Sequence, residues 1–286
     1  MPMDGLMTGL LARELDAELA GGRIDRITQP ERDTVILVIR AGTVNKSLLL
    51  CASANNARAH LTGSKFANPL EPPALCMLMR KQLLGGRILE VRQVDGDRIL
   101  HIDMDTLGEL GDHERRRLVL EIMGRHSNLM LLNGEGKILE SAHHVNAEMS
   151  RVRQIQPGMT YSPPPGQNRL DPGKMTGSEL RERLETMEGQ PFGKALSGCV
   201  TGLSLASGRE IAARVLEAGE KWPEDLAACC ERICGLLRRL PEMVSPRVEY
   251  TEEGNAAEVY PFPFLSGAVG GILEVNYMKK EKCTFP

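Results

Sequence analysis

The sequence predicts an α+β domain built on an antiparallel meander, followed by an all-α domain with a terminal β-hairpin. Three observations predict it. Short apolar runs follow one another in the first half, many of them bounded by Gly, Asp or Asn. Two longer helical patterns sit among them, and beyond a Pro/Gly-rich stretch the apolar spacing becomes that of helices. At 286 residues the chain has room for about two domains.

Asp4 is placed to cap a helix in which Leu11, Leu15 and Leu19 form one apolar line, and Gly21-Gly22 ends it. "RIDRITQ", "TVILVIR" and "KSLLLCA" then read as consecutive strands, with turn signals at 30–33 and 42–45. A second helix starts at Pro72-Pro73, runs through "ALCMLMRKQLL" and stops at Gly85-Gly86. "RILEVRQV", "RILHIDM", "RLVLEIM", "NLMLLN" and "GKILESA" continue the meander. Prolines and glycines crowd "QIQPGMTYSPPPGQNRLDPGKM", which cannot continue a regular element. The expected organisation is a first domain over 1–160, a linker over 161–175 and a second domain over 176–286. The second domain reads as helices in "TGSELRERLETME", "PFGKALSGCV", "SLASGREIAARVLEAG" and "WPEDLAACCERICGLLRRL", then a hairpin turning at Gly254-Asn255. "NYMKKEKCTFP" has no natural stop signal, so an excised piece of a longer protein is expected.

No apolar run approaches a membrane span, and the N-terminus has acids where a signal peptide is basic. A cytoplasmic protein with no membrane partner is the expectation. Seven cysteines without regular spacing argue against a disulfide framework. Cys230 and Cys234 share a helical face with Cys229 nearby, but no His or CxxC pair completes a metal set. Buried thiols are therefore expected, and no metal or cofactor. Residues 1–160 carry 20 Lys+Arg against 20 Asp+Glu, so any polyanion site must come from local clustering.

Four stretches could carry chemistry. In "QVDGDRILHI", Asp97 and Arg98 end a tight turn between strands; Arg98 can offer a planar fork to phosphate or a base edge, with Asp97 orienting it. The plainer reading is a D-G hairpin whose Arg98 pairs locally. "LEIMGRHSNLMLLN" places Glu121, Arg125, His126, Ser127 and Asn128 around one turn. Either Glu121 and Arg125 form a local ion pair while Ser127 and Asn128 satisfy the turn backbone, or these groups meet a ligand. Gly202-Leu203-Ser204 resembles the hairpin of helix-hairpin-helix modules, which can aim N–H groups at a phosphate; the plainer reading makes Ser204 an N-cap. Pro2, exposed if Met1 is removed, would be a secondary-amine nucleophile, although no acid lies beside it. His143-His144 lacks a third ligand and reads as an exposed strand end.

Taken in order, "MDG…LAREL…GGRIDRITQP", "PPALCMLMRKQLLGGRI", "QVDGDRIL", "LEIMGRHSNLMLLN", "GKILES", "QIQPGMTY" and "GLSLASGREIA" resemble the NFACT family, the RqcH/NEMF group, over about residues 3–240. The resemblance implies a β-sandwich-like N-terminal domain similar to that of formamidopyrimidine-DNA glycosylases, then a helix-hairpin-helix domain. It implies tRNA contacts at Asp97 and Arg98, with Glu121, Ile122 and Met123 also tied to function. A surface that reads tRNA needs only a local basic face, here including Arg80, Lys81, Arg87 and Arg125, with Gly202 and Ser204 as further phosphate contacts. The implied partners are tRNA, alanine tRNA above all, and a large ribosomal subunit obstructed by peptidyl-tRNA. The implied function is ribosome quality control through alanine tailing of stalled chains, with no reaction centre in the protein itself. The family's coiled coil and NFACT-R domain are not in this sequence. Two other classes of function remain, a DNA glycosylase/lyase using Pro2 and a fibronectin-binding adhesin.

Overall fold

The computed structural model describes residues 3–108, 111–166, 168–216, 221–245, 247–250, 256–263, 265 and 272–274. They divide into two compact units: residues 11–167, and residues 1–10 together with 168–286. Helix α1 (Gly5–Leu19) belongs in part to each.

The first unit holds strands β1 (Arg23–Glu31), β2 (Thr34–Ala41), β3 (Val44–Cys51), β4 (Arg58–Thr62), helix α2 (Ala74–Leu83), and strands β5 (Arg87–Gln93), β6 (Ile99–Leu107), β7 (His113–Glu121), β8 (Asn128–Asn133) and β9 (Ile138–Ser141). They form one nine-stranded sheet in the order β4-β3-β2-β1-β5-β6-β7-β8-β9, every neighbouring pair antiparallel. β4 escaped the sequence reading because "RAHLT" is short and lacks a strong apolar alternation. Leu48–Leu50, Leu118–Leu120 and Leu129–Leu132 are buried without a break, so these strands are covered on both faces. The sheet also curls. His143, just past β9, lies 3.2 Å from Asp33 in the β1–β2 turn, whereas five strand spacings in a flat sheet would separate them by about 24 Å.

The two halves repeat one motif. Gly21-Gly22-Arg23-Ile24 follows α1, and Gly85-Gly86-Arg87-Ile88 follows α2. Arg23 pairs with Arg87 where β1 meets β5. Gly21 N donates to Ile88 O (2.8 Å), Gly85 N to Ile24 O (2.9 Å), Ile24 N to Gly86 O (2.9 Å) and Ile88 N to Gly22 O (2.9 Å). That reciprocal set is two-fold symmetric. Both ladders bulge beside it, between Ile24 and Arg26 and between Ile88 and Glu90. A Cβ on Gly22 would stand 2.6 Å from Ile39 Cγ2, and one on Gly86 2.7 Å from Thr106 Cγ2. The glycines therefore allow each helix-to-strand corner to close against the next strand.

The second unit contains α3 (Gly177–Glu185), α4 (Phe192–Cys199), α5 (Leu205–Val215) and α6 (Leu226–Arg239). Thr176 and Glu179 form a capping box on α3, and Ser204 and Asp225 cap α5 and α6. Phe192, Leu180, Leu184, Ile211 and Ile233 form its core with Cys199, Cys229, Cys230 and Cys234. These thiols are free and buried, and burial pushes Cys230 up to about 12, so they pack as small apolar groups. β10 (Arg247–Tyr250) pairs with β11 (Ala256–Tyr260) and with β12 (Ile272–Glu274), all antiparallel. The hairpin tip expected at Gly254-Asn255 lies outside the described residues, as do Pro2, Cys283 and "NYMKKEKCTFP".

Candidate nucleic-acid interface

The β5–β6 turn is built by Asp95 and Gly96, with φ of 45° and 72°, the two left-handed positions that a type I′ turn requires. Asp97 N closes it onto Val94 O at 2.9 Å. Asp97 Oδ1 accepts from Arg98 N at 2.7 Å. The carboxylate thus holds the backbone of Arg98, which corrects the expectation that it orients the guanidinium. The half-buried Arg98 side chain turns instead to Met123, its Nη2 lying 3.4 Å from Sδ.

β7 brings the second stretch alongside. Ile99 pairs with Glu121, and Ile122 N donates to Arg98 O at 2.9 Å. Asp97 and Arg98 are thereby brought to the same sheet end as Glu121, Ile122 and Met123. A 3₁₀ turn at Gly124–His126 follows. Ser127 Oγ accepts from Met123 N (2.9 Å), and Asn128 Oδ1 accepts from Leu129 N (2.9 Å) and His143 N (3.0 Å). Ser127 and Asn128 therefore satisfy backbone groups, as the structural reading expected.

Glu121 does not pair with Arg125. It is fully buried (0% exposed), and its carboxylate accepts from Arg153 Nη1 (2.8 Å), Arg153 Nη2 (2.6 Å) and Tyr161 Oη (2.9 Å). The bidentate fork neutralises a charge that would otherwise be costly in this setting. Arg153 also lies over the Tyr161 ring, 5.2 Å from its centroid, and burial together with the Glu121 charge raises the Tyr161 phenol. His101 meets the edge of that ring at 6.1 Å and accepts from Arg92 Nη2 on Nδ1 (3.2 Å). Burial, helped by Arg117 and Arg92, holds His101 down to about 4, so it is neutral at neutral pH.

Arg153 and Tyr161 were missed by the sequence reading. Their partner is 32 and 40 residues away, and the only signal was an acid at the end of an apolar strand. Arg125 remains exposed, with Nε donating to His126 Nε2 at 3.0 Å. Glu121 is thus paired with Arg153, while Arg98 and Arg125 stand at this sheet end together with the turn carboxylates Asp95 and Asp97.

The remaining candidates each have their own surroundings. Arg87 pairs with Asp105 across β5–β6, at the opposite end of that ladder from the turn, and its Nη1 donates to Gly21 O at 2.8 Å. Arg80 Nε is used on Ile27 O at 2.9 Å, and Lys81 is exposed on α2. In the helical unit, Gly202 O accepts from Gly5 N (2.7 Å). Ser204 N donates to Asp4 Oδ2 (3.2 Å), and Ser207 Oγ to the same oxygen (2.5 Å). Asp4 Oδ1 accepts from Met7 N (3.0 Å), the expected cap of α1. The start of α5 thus already holds a carboxylate where a phosphate was expected at Gly202 and Ser204. His144 is exposed and pairs with Glu140 (2.5 Å), while half-buried His143 pairs with Asp33, a cross-sheet tie in place of the exposed position expected for it. Among the described residues no helix is long and apolar enough to cross a membrane.

Comparison with known proteins agrees on one family. The chain matches the family described as "NFACT N-terminal and middle domains" over residues 4–280. The "Rqc2 homolog RqcH" of Streptococcus suis is 39% identical over 213 residues, covering 74% of this chain and 38% of its own length. The protein of that name in Bacillus subtilis is 38% identical over 191 residues, covering 66% and 34%. The chain therefore spans little more than a third of these relatives. The solved N-terminal part of the fibronectin/fibrinogen-binding protein from Streptococcus suis superposes with TM-score 0.78 at 32% identity, covering 93% of this chain and 92% of that one. The fibrinogen binding protein from Staphylococcus aureus superposes with TM-score 0.81 at 27% identity, covering 97% and 96%.

Proposed function

The chain belongs to the NFACT family, and on that premise we propose that it acts in ribosome quality control by binding tRNA at the sheet end that carries Asp97 and Arg98. The full reading is a cytoplasmic factor that recruits tRNA, alanine tRNA above all, to large ribosomal subunits obstructed by peptidyl-tRNA and supports alanine tailing of the stalled chain. Peptide-bond formation belongs to the ribosome in this reading, and the chain contributes recognition. The helical unit is read as a helix-hairpin-helix domain.

One observation carries the proposal: Arg98 and Glu121–Met123, read from separate motifs, share a backbone hydrogen bond and a side-chain contact at one sheet end. The neutralised Glu121 fixes that strand end, while the cations of Arg98 and Arg125 suit a phosphate backbone or a base edge. Sequencing the RNA that co-purifies with this chain and with Asp97→Ala/Arg98→Ala tests it. Enrichment of tRNA that vanishes in the folded variant is expected; equal tRNA recovery from both forms would overturn the assignment.

A second reading, binding of fibronectin or fibrinogen, is favoured by the names of the two solved neighbours. Saturable binding of fibronectin to the purified chain would support it. The lyase reading depends on Pro2 and predicts covalent trapping on abasic DNA under borohydride.

A further inference from the structure

Two turns from opposite halves of the sheet unit lie against each other. Residues 52–57 join β3 to β4, and residues 122–127 join β7 to β8. In the repeat each joins the third strand of its half to the fourth. A Cβ on Gly124 would stand 3.9 Å from Ala54 O. The segments 52–60 and 122–128 contain no Asp or Glu, and both carry an Arg and a His: Arg58 and His60, Arg125 and His126.

Both arginines are held in the same way. Arg58 Nε donates to His60 Nε2 (3.3 Å), and Arg125 Nε donates to His126 Nε2 (3.0 Å). A ring nitrogen that accepts carries no proton, which puts the His60 proton on Nδ1, and each guanidinium keeps its charge. His60 Nδ1 lies 3.0 Å from Leu61 O, which completes that tautomer. Arg58 Nη1 is steadied further by Asn56 O (2.9 Å), and the side chains of Asn55 and Asn56 are exposed beside it. Asp33, whose carbonyl accepts from Ala52 N at 2.8 Å, has its carboxylate turned to His143.

We propose that these facing turns form a second phosphate-binding arm of the interface, in which Arg58 and Arg125 take backbone phosphates of the same RNA that meets Asp97 and Arg98. Asn55 and Asn56 supply amide donors beside Arg58. The proposal rests on the reading of the ligand as RNA given above. A guanidinium presents paired N–H groups that match phosphate, and side chains already held in place lose less freedom on binding. Contacts of this kind are independent of base sequence, so the arm adds affinity and register while the Arg98 turn does the discriminating.

The test is tRNA binding across a series of salt concentrations for the wild-type chain, Arg58→Ala, Arg58→Ala/Arg125→Ala and Asp97→Ala/Arg98→Ala, with thermal unfolding to confirm the fold of each. Loss of Arg58 should weaken binding by about three- to tenfold and reduce the slope of log K against log salt by about one, and the double variant by about two. Wild-type affinity and slope in Arg58→Ala, with binding lost in Asp97→Ala/Arg98→Ala, would overturn the arm and leave the RNA reading standing. Absence of tRNA binding by the wild-type chain would overturn both.

Discussion

The β5–β6 turn and the start of α5 look alike as prospective phosphate sites: each follows a glycine-containing turn and offers polar donors. They end differently because of where the nearest carboxylate goes. At the sheet end, Glu121 is drawn inward, neutralised by Arg153 and hydrogen-bonded by Tyr161, while Asp97 is spent on a backbone N–H. Neither contact uses the guanidinium of Arg98 or Arg125. At α5, Asp4 is turned onto Ser204 N and Ser207 Oγ while it also caps α1. A helix N-terminus attracts an anion, and here the chain supplies its own. A phosphate site therefore needs donors that the fold has left unspent, and a donor motif alone does not show that.

Four perturbations would break or sharpen this contrast. The largest effect is expected from Arg153→Met, which strands the buried Glu121 charge; a stability loss of about 3–5 kcal/mol should appear in urea unfolding, and Arg153→Met/Glu121→Gln should recover part of it. A wild-type urea midpoint in Arg153→Met would remove the proposed basis of the sheet-end geometry. Asp4→Ala removes the acceptor shared by donors at two helix starts and should cost about 2 kcal/mol. Inorganic sulfate should then raise its melting temperature more than that of the wild type, because the α5 donors are released; an equal response would mean that Asp4 is not what fills this position.

The third perturbation is pH. The folded-state pKa of His101, about 4, lies below its usual 6.5, so the unfolded chain takes up the proton first on acidification. This contribution to stability is intact above about pH 6.5 and is lost as the pH falls from there towards 4. His101→Gln should flatten the melting-temperature profile across that window, and an unchanged profile would assign the slope to other groups. The smallest effect is expected from Arg87→Ala, at the far end of the β5–β6 ladder: tRNA binding should change less than about twofold in a filter-binding or anisotropy assay. A large loss would restore the basic face that included Arg87.

How much was legible follows the range of the interactions. Gly85-Gly86, Asp95-Gly96 and the Asp4 cap are local signals, and their turns and helix ends formed where the sequence placed them because backbone conformation there is decided within a few residues. Equally local were the apolar runs bounded by turn residues that set out eight of the nine sheet strands; "RAHLT" was missed because its pairing with β3 is supported more by register than by its own pattern. The repeat was present in both "GGRI" segments, but their reciprocal pairing emerged only from the sheet.

The sequence by itself determined the antiparallel meander, the helical character of the second unit and the motifs Asp97-Arg98 and Glu121-Ile122-Met123. Only the tertiary structure decided which charges were spent. Arg153 and Tyr161 reach Glu121, Asp4 reaches Ser204 and Ser207, and Gly124 comes to Ala54 across the sheet. The physical reason is that a charge's availability depends on burial and on partners brought close by chain closure. Neither is a property of the segment in which the charged residue stands.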